Sequence, residues 1–339
     1  MPISSCTKKF VTLPVHKGGL GIPLLKNVSD QMWLQKRNAL KHSSNSDIKQ
    51  VWSDTSHKHI SSDSLLITDN LTTASITLKK SQMSKAKNHF YALEVQGIAA
   101  RTVSDTVSKS NILLWTSNLE SVPSYLRNFA KKALQQQLAT LSNLVRWKKA
   151  SDAFCPLCGT GAAQTNKHVF SNCSSPVALE RYTQRHDAIL SVIADWIYDS
   201  ISTTQILFVD ITSFKFKPIS DLFNNEFRPD IAIVQDSSIS VLELTVCHET
   251  NMENSKLYKL NKYRDLHKAL KISSLACNLK TFSIEVSVLG FVRDVSEFIA
   301  NTGLPKMPKS LLKNIANLAL NYSYNIYRSR SSTTQSFHV

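Results

Sequence analysis

Three thiols and one imidazole constrain this chain more than any other feature. They lie in CPLCGTGAAQTNKHVFSNC, spaced Cys155-x2-Cys158-x9-His168-x4-Cys173. Three thiolates and an imidazole at this spacing make a closed, tetrahedral Zn²⁺ site, which is a structural arrangement. A short segment with little core of its own needs such a staple, and metal binding supplies folding free energy. With no open coordination position, no chemistry is expected at the zinc. The chain has six Cys. With three of them in one cluster, they read as metal ligands in a reducing compartment rather than as a disulfide framework.

Further on, residues 228–266 read as strand, tight turn, strand, short loop and helix. Asp230 opens the apolar run Ile231–Val234, polar QDSSIS makes the turn, and Glu243 sits inside the run Val241–Val246. Two such runs joined by a short polar turn predict a β-hairpin. A carboxylate within an apolar strand is costly unless it is paired or binds a cation. Two on neighbouring strands can share one divalent ion, and their hard oxygen donors suit Mg²⁺ or Mn²⁺. Thr250-Asn-Met-Glu253 predicts a capping box, with a helix starting near Asn251. On a helical wheel Leu260, Tyr263, Leu266 and Leu270 form one apolar arc. Lys256 and Lys259 fall inside that arc and Lys262 at its edge. A lysine there either snorkels to solvent or faces an anionic partner. Lys256 alone fits the first description. Lys259, centred in the arc, fits the second.

The remaining segments are read in order. LPVHKGGLGIPLL holds Gly18, Gly19 and Gly21 within four residues. It predicts a turn where backbone passes close to its neighbours or takes a positive φ. Residues 26–150 are mostly helical by pattern, over 28–41, 81–98 and 127–149. In the last of these Phe129, Ala133, Leu134, Leu138, Leu141, Leu144 and Val145 form one stripe. At its basic end, Arg146-Trp147-Lys148-Lys149 admits two readings. Trp147 closes the core while the cations are solvated, or it stacks on a base while the cations contact phosphates. Residues 177–200 predict a helix carrying Glu180 and the run Arg185-His186-Asp187, a sequence compatible with a solvated face. Strand 205–214 holds Asp210, as an extra metal ligand or a turn cap. Strand 281–292 has Gly290 at a bulge or close approach. A last helix spans 309–328, and a Ser/Thr tail follows.

Charge is divided unevenly. Residues 1–150 hold 21 Lys+Arg against 8 Asp+Glu, and residues 151–339 hold 19 against 17. A basic half joined to a nearly neutral half predicts a grip on a polyanion beside a catalytic body. Apolar content of 42% and mean hydropathy of −0.16 are ordinary for a globular protein. No apolar run approaches a membrane span, and no secretory signal is evident, so a membrane partner is not expected.

Pro229-Asp230, then Glu243, then a helical lysine resembles the PD-(D/E)xK restriction-like nucleases. The pattern departs at Thr245, where that family usually has Lys. The resemblance is to the variant whose lysine has moved to the following helix, the endonuclease of site-specific non-long-terminal-repeat retrotransposons. The GGLGIP turn resembles the segment just beyond the palm of their reverse transcriptases. TLSNLVRWKK before the Cys pair, and Arg185-His186-Asp187 after the knuckle, resemble the same proteins. The resemblance implies an α/β, restriction-endonuclease-like mixed sheet over 177–330. A CCHC knuckle over 151–176 and a mostly helical basic region over 1–150 would precede it, and a disordered tail over 331–339 would follow.

It further implies structural Zn²⁺ and catalytic Mg²⁺ or Mn²⁺ at Asp230 and Glu243. Lys259 would orient water or neutralise the transition state, with Lys256 and Lys262 as alternatives. His186, Asp187, Asp210 and Glu180 are candidate supporting groups, and Arg146, Trp147, Lys148, Lys149 and Arg185 candidate nucleic-acid contacts. A DNA target, element RNA and a nuclear location follow from the same likeness. No aromatic-x-Asp-Asp segment occurs, so the two aspartates that nucleotidyl transfer needs are not found and a polymerase would be supplied elsewhere. The chain thus reads as the C-terminal piece of a larger element or a gene model begun at an internal Met. A nucleic-acid-binding remnant that no longer cuts is the main alternative, and a resolvase or repair nuclease of the same fold is a third.

Overall fold

A computed structural model describes residues 10–17, 19–22, 25–55, 71–223, 228–264 and 278–332. Gly18, Leu266, Leu270 and residues 333–339 of the tail lie outside them. The chain divides into two compact units, Met1–Gly97 and Ile98–Val339.

The first unit contains helices α1 (Leu25–Lys41), α2 (Ser46–Thr55) and α3 (Leu71–Tyr91), with α1 against α3. The glycine-rich turn folds back on the segment before it. Gly21 N donates to Leu13 O at 2.8 Å and Ile22 N to Val11 O at 2.9 Å. A Cβ at Gly19 would lie 2.1 Å from Leu13 O, so only glycine permits this approach. Phe10 and Phe90 meet at 5.7 Å between ring centroids.

The second unit is mixed α/β. It begins with α4 (Ile98–Thr106), α5 (Lys109–Ser121), α6 (Ser124–Leu134) and α7 (Leu141–Arg146). The continuous helix expected over 127–149 is broken between α6 and α7. Gln136 adopts φ 54, and Asn143 Nδ2 donates to the carbonyls of Gln136 and Leu138 at 2.8 and 2.6 Å. That side chain satisfies carbonyls which a continuous helix would have bonded internally. The apolar stripe is buried along α6, at Phe129, Ala133 and Leu134, and at Leu138, but its continuation on α7 at Leu141, Leu144 and Val145 is only half-buried.

After the knuckle come α8 (Pro176–Tyr198), β1 (Ile206–Val209), β2 (Lys217–Pro218), β3 (Ile231–Gln235), β4 (Ser238–Cys247), α9 (Met252–Lys262), β5 (Asn278–Ser287), α10 (Ser296–Thr302) and α11 (Lys309–Arg328). Strand order is β2-β1-β3-β4-β5. β3 and β4 form the expected antiparallel hairpin. β4 and β5 are parallel, with α9 in the connection between them, as parallel neighbours require a crossover. One sheet face, with Ile231, Ile233, Leu242, Leu244, Ile284 and Val286, packs on α8 and α11 through Ile189, Ile193, Ile197, Ile315 and Ala319. The other carries Phe208, Ala232, Val241 and Leu279 beneath Tyr263.

Two strands are shorter than expected. β1 stops at Val209, before Asp210, and β5 stops at Ser287 in a turn through Gly290 rather than running to 292. The helix near 251 also starts differently. Glu249–Asn251 is a 3-10 turn, the N-cap Asn251 makes no side-chain cap bond, and Glu253 pairs instead with Arg293 at 2.8 Å. No helix among the described residues is long and apolar enough to cross a membrane.

Candidate functional sites: a zinc knot and a row of acids

The knuckle is assembled from a turn, an isolated bridge between Phe154 and Ala163, and a π-helical turn at His168–Asn172. Cys155, Cys158, His168 and Cys173 converge, with their ligand atoms all within 4.8 Å of one another. Cys155 Sγ lies 3.8 Å from Cys173 Sγ, and Cys158 Sγ lies 3.6 Å from His168 Nε2. A zinc tetrahedron has S···S edges of roughly 3.8 Å and S···N edges of roughly 3.6 Å, so the donor set fits Zn²⁺ in both chemistry and size. Burial lowers the pKa of His168, which favours the neutral imidazole that a metal needs. Tyr182 of α8 fixes the surrounding backbone. Its hydroxyl donates toward His168 O and Val169 O at 3.1 and 2.8 Å and accepts from Cys173 N at 3.3 Å. Arg146, Trp147, Lys148 and Lys149 precede the knuckle and are all exposed, Trp147 by 39%. Trp147 therefore does not close the core.

The second constellation lies across the sheet. Ile231 faces Leu242 in the β3–β4 register, so Asp230 and Glu243 are the next pair across. Val209 faces Ile231, which brings Asp210 level with Asp230, and Asp210 N donates to Asp230 O at 2.9 Å. Residues directly opposite on antiparallel strands project from the same face. Asp210 just past the end of β1, Asp230 just before β3 and Glu243 within β4 thus form one lateral row. Lys259, on α9 over that face, bonds Glu243 Oε2 and stands 3.9 Å from Asp230 Oδ2. Leu244 N donates to Asp230 Oδ2 at 2.6 Å. His186 Nε2 of α8 approaches Asp230 Oδ1 at 3.5 Å, while its Nδ1 bonds Asp187 at 3.0 Å. Arg228 pairs with Asp210.

These contacts set the charges. For Glu243, burial and the neighbouring Asp230 charge raise the pKa against the pull of Lys259. For Asp230, burial pushes upward, but the bond and charge of His186, the Lys259 ammonium and the Leu244 amide bring it below the ordinary carboxylate value. Burial works against the charge on Lys259, yet the two carboxylates raise its pKa. His186 is likewise lifted to about 9, because Asp187 and Asp230 outweigh its desolvation.

Of the three candidate lysines, Lys259 bridges the two acids and Lys262 Nζ stands 3.9 Å from Glu243 Oε1. Lys256 lies toward Glu285, whose carboxyl it influences. Glu180 is exposed and accepts from Gln184 at 3.3 Å. Arg185 corrects an expectation. It is fully buried, donating to Ser323 Oγ at 3.1 Å and Phe170 O at 2.9 Å, so it ties α8 to α11 and the knuckle rather than meeting nucleic acid. The sequence did hold the signal, since Arg185 lies four residues before Ile189 on the inward stripe of α8. Two partners were missed altogether. The Tyr263 hydroxyl bonds Glu243 Oε1, where only an apolar arc was read, and Arg228 holds Asp210.

Comparison with known proteins adds a family to this geometry. No curated protein matches the chain. Residues 99–179, which carry α4 to α7 and all four knuckle ligands, match the family described as zinc-binding in reverse transcriptase. That match and the convergent Cys₃His group relate this chain, through its zinc-binding segment, to the reverse transcriptases of retrotransposons.

Proposed function

We propose that this chain is a metal-dependent DNA endonuclease, with β1, β3, β4, β5 and α9 forming a restriction-like core. The carrying observation is that Asp230 and Glu243, neighbours across the hairpin, share the Lys259 ammonium. Their oxygens would hold Mg²⁺ or Mn²⁺, whose ligand preference they match. Bound there, such an ion would supply a more acidic water and offset charge on the scissile phosphate. Lys259 would orient the attacking water or neutralise the phosphorane-like transition state. His186 and the Leu244 amide would hold Asp230 ionised and fixed. Water oxygen would bond to phosphorus while one phosphorus–ester oxygen bond breaks. By resemblance, the freed 3′ end would prime reverse transcription of element RNA in the nucleus, with the polymerase active site supplied elsewhere.

The exposed run Arg146–Lys149 needs no catalytic centre, and it favours the second reading, a nucleic-acid-binding remnant. One assay separates them. The purified chain is expected to nick supercoiled plasmid with Mg²⁺ or Mn²⁺ and to stop with EDTA. Asp230→Ala is expected to abolish nicking while a gel shift persists. Binding without any nicking by the unaltered chain would leave the remnant reading in its place.

A further inference from the structure

Tyr263 ends α9, adopting φ −91 at its C-cap, and is fully buried. A buried phenol needs a partner for its hydroxyl. It finds one in Glu243 Oε1. The other oxygen, Oε2, takes Lys259, which sits one helical turn earlier on the same helix. Lys262 completes the arrangement, with Nζ 3.2 Å from the Tyr263 hydroxyl and 4.9 Å from its ring centroid. Each carboxylate oxygen is therefore tied by a different donor, and the two are not equivalent. Oε2 is the one that shares its ammonium with Asp230, so it is the oxygen on the Asp230 side. Oε1 is held by a neutral phenol, whereas Oε2 faces an ammonium, which stands where a divalent cation shared with Asp230 would compete for it.

We propose that Tyr263 is a positioning residue that confines Glu243 to one-oxygen ligation through Oε2, and so biases the acid pair toward Mg²⁺ and Mn²⁺ over Ca²⁺. Mg²⁺ demands near-octahedral geometry with single-oxygen contacts, whereas Ca²⁺ accepts more oxygens and often takes a carboxylate by both. Freeing Oε1 removes that restriction. It also removes an orienting hydrogen bond of the kind whose loss typically costs about 10–100-fold in metal affinity. The inference rests on the metal-binding reading of Asp230 and Glu243.

Its test does not depend on cutting. Mn²⁺ binding to the full chain, with zinc retained, is followed by the electron paramagnetic resonance of free Mn²⁺ and repeated against rising Ca²⁺. Tyr263→Phe keeps the ring and loses one oxygen. It is expected to bind Mn²⁺ roughly tenfold more weakly and to lose that Mn²⁺ at lower Ca²⁺ than the unaltered chain. Unchanged Mn²⁺ affinity and Ca²⁺ competition in Tyr263→Phe would overturn the role. Asp230→Asn separates the two levels. If it binds Mn²⁺ as the unaltered chain does, the metal site itself fails. If it loses Mn²⁺ while Tyr263→Phe does not, only the Tyr263 role fails.

Discussion

His186 stands between two carboxylates, and that position gives it a measurable pH signature. Its folded pKa, about 9, exceeds the ordinary 6.5, so protons bind more tightly in the folded chain. The resulting stabilisation is complete below pH about 6.5 and is lost as pH rises through about 9. The expected size is about 1–3 kcal/mol. Chemical denaturation without Mg²⁺ or Mn²⁺ should therefore show stability falling across that window, and His186→Gln should flatten the fall. An equally steep fall in the variant would mean that another group carries it. Arg185, one residue earlier, illustrates how sharply a helix separates neighbours. A rotation of about 100° takes the chain from a guanidinium bonded to Ser323 and Phe170 to an imidazole facing Asp230.

At the scale of elements, the turn after β5 is the least forgiving. Gly290 adopts φ +87, and a Cβ there would lie 2.6 Å from both Cα and O of Ala316 in α11. Trp115 of α5 fastens the same turn by donating to Leu289 O at 2.6 Å and stacking on Phe291 at 4.1 Å. Gly290→Ala combines a disfavoured φ with a backbone clash, and should cost roughly 2–4 kcal/mol. A melting temperature equal to that of the unaltered chain would show that α11 can retreat. The close approach at Gly290 was readable because a lone glycine in an apolar run has few other uses. The hairpin was readable too, since its two apolar runs and polar turn are local. Its register was not, because counting outward from QDSSIS sets Asp230 opposite Thr245, whereas the observed turn is tighter, pairs Gln235 with Ser238 and brings Asp230 level with Glu243. What escaped depends on distant partners. The break at Gln136 is set by Asn143 reaching back, and the apolar stripe on either side conceals it. The Tyr263 hydroxyl escaped because an aromatic residue in an apolar arc reads as packing, and only the facing strand supplies its acid.

At the scale of the whole molecule, the knuckle joins parts that are far apart in sequence. Leu141 N donates to Gln164 Oε1 at 3.0 Å, and Gln164 Nε2 donates to Arg330 O at 3.3 Å. Arg181 donates to Ser329 O and Ser332 O at 2.9 and 3.0 Å, while Arg330 donates to Ala139 O at 2.9 Å. The segment after α6, the knuckle, α8 and the end of α11 are thus laced together around four metal ligands. Aromatic packing of Phe129 on Phe170, Tyr324 and Tyr327 supports one side of that junction, but the buried cluster at the ligands themselves is only Cys155, Cys173 and Ala178, so there the metal must supply what packing does not. Removing zinc with a strong chelator, or substituting Cys155→Ser, should therefore loosen more than the knuckle. The unit Ile98–Val339 is expected to lose on the order of 5 kcal/mol and to gain protease cuts both within 151–176 and after Arg328. Cobalt substituted for zinc should give the absorption of a tetrahedral S₃N site. A metal-free chain that melts unchanged would mean that these hydrogen bonds hold the junction alone. Cuts confined to the knuckle would instead confine the metal's influence to its own loop, leaving the end of α11 anchored by Tyr324 and Tyr327 against Phe129.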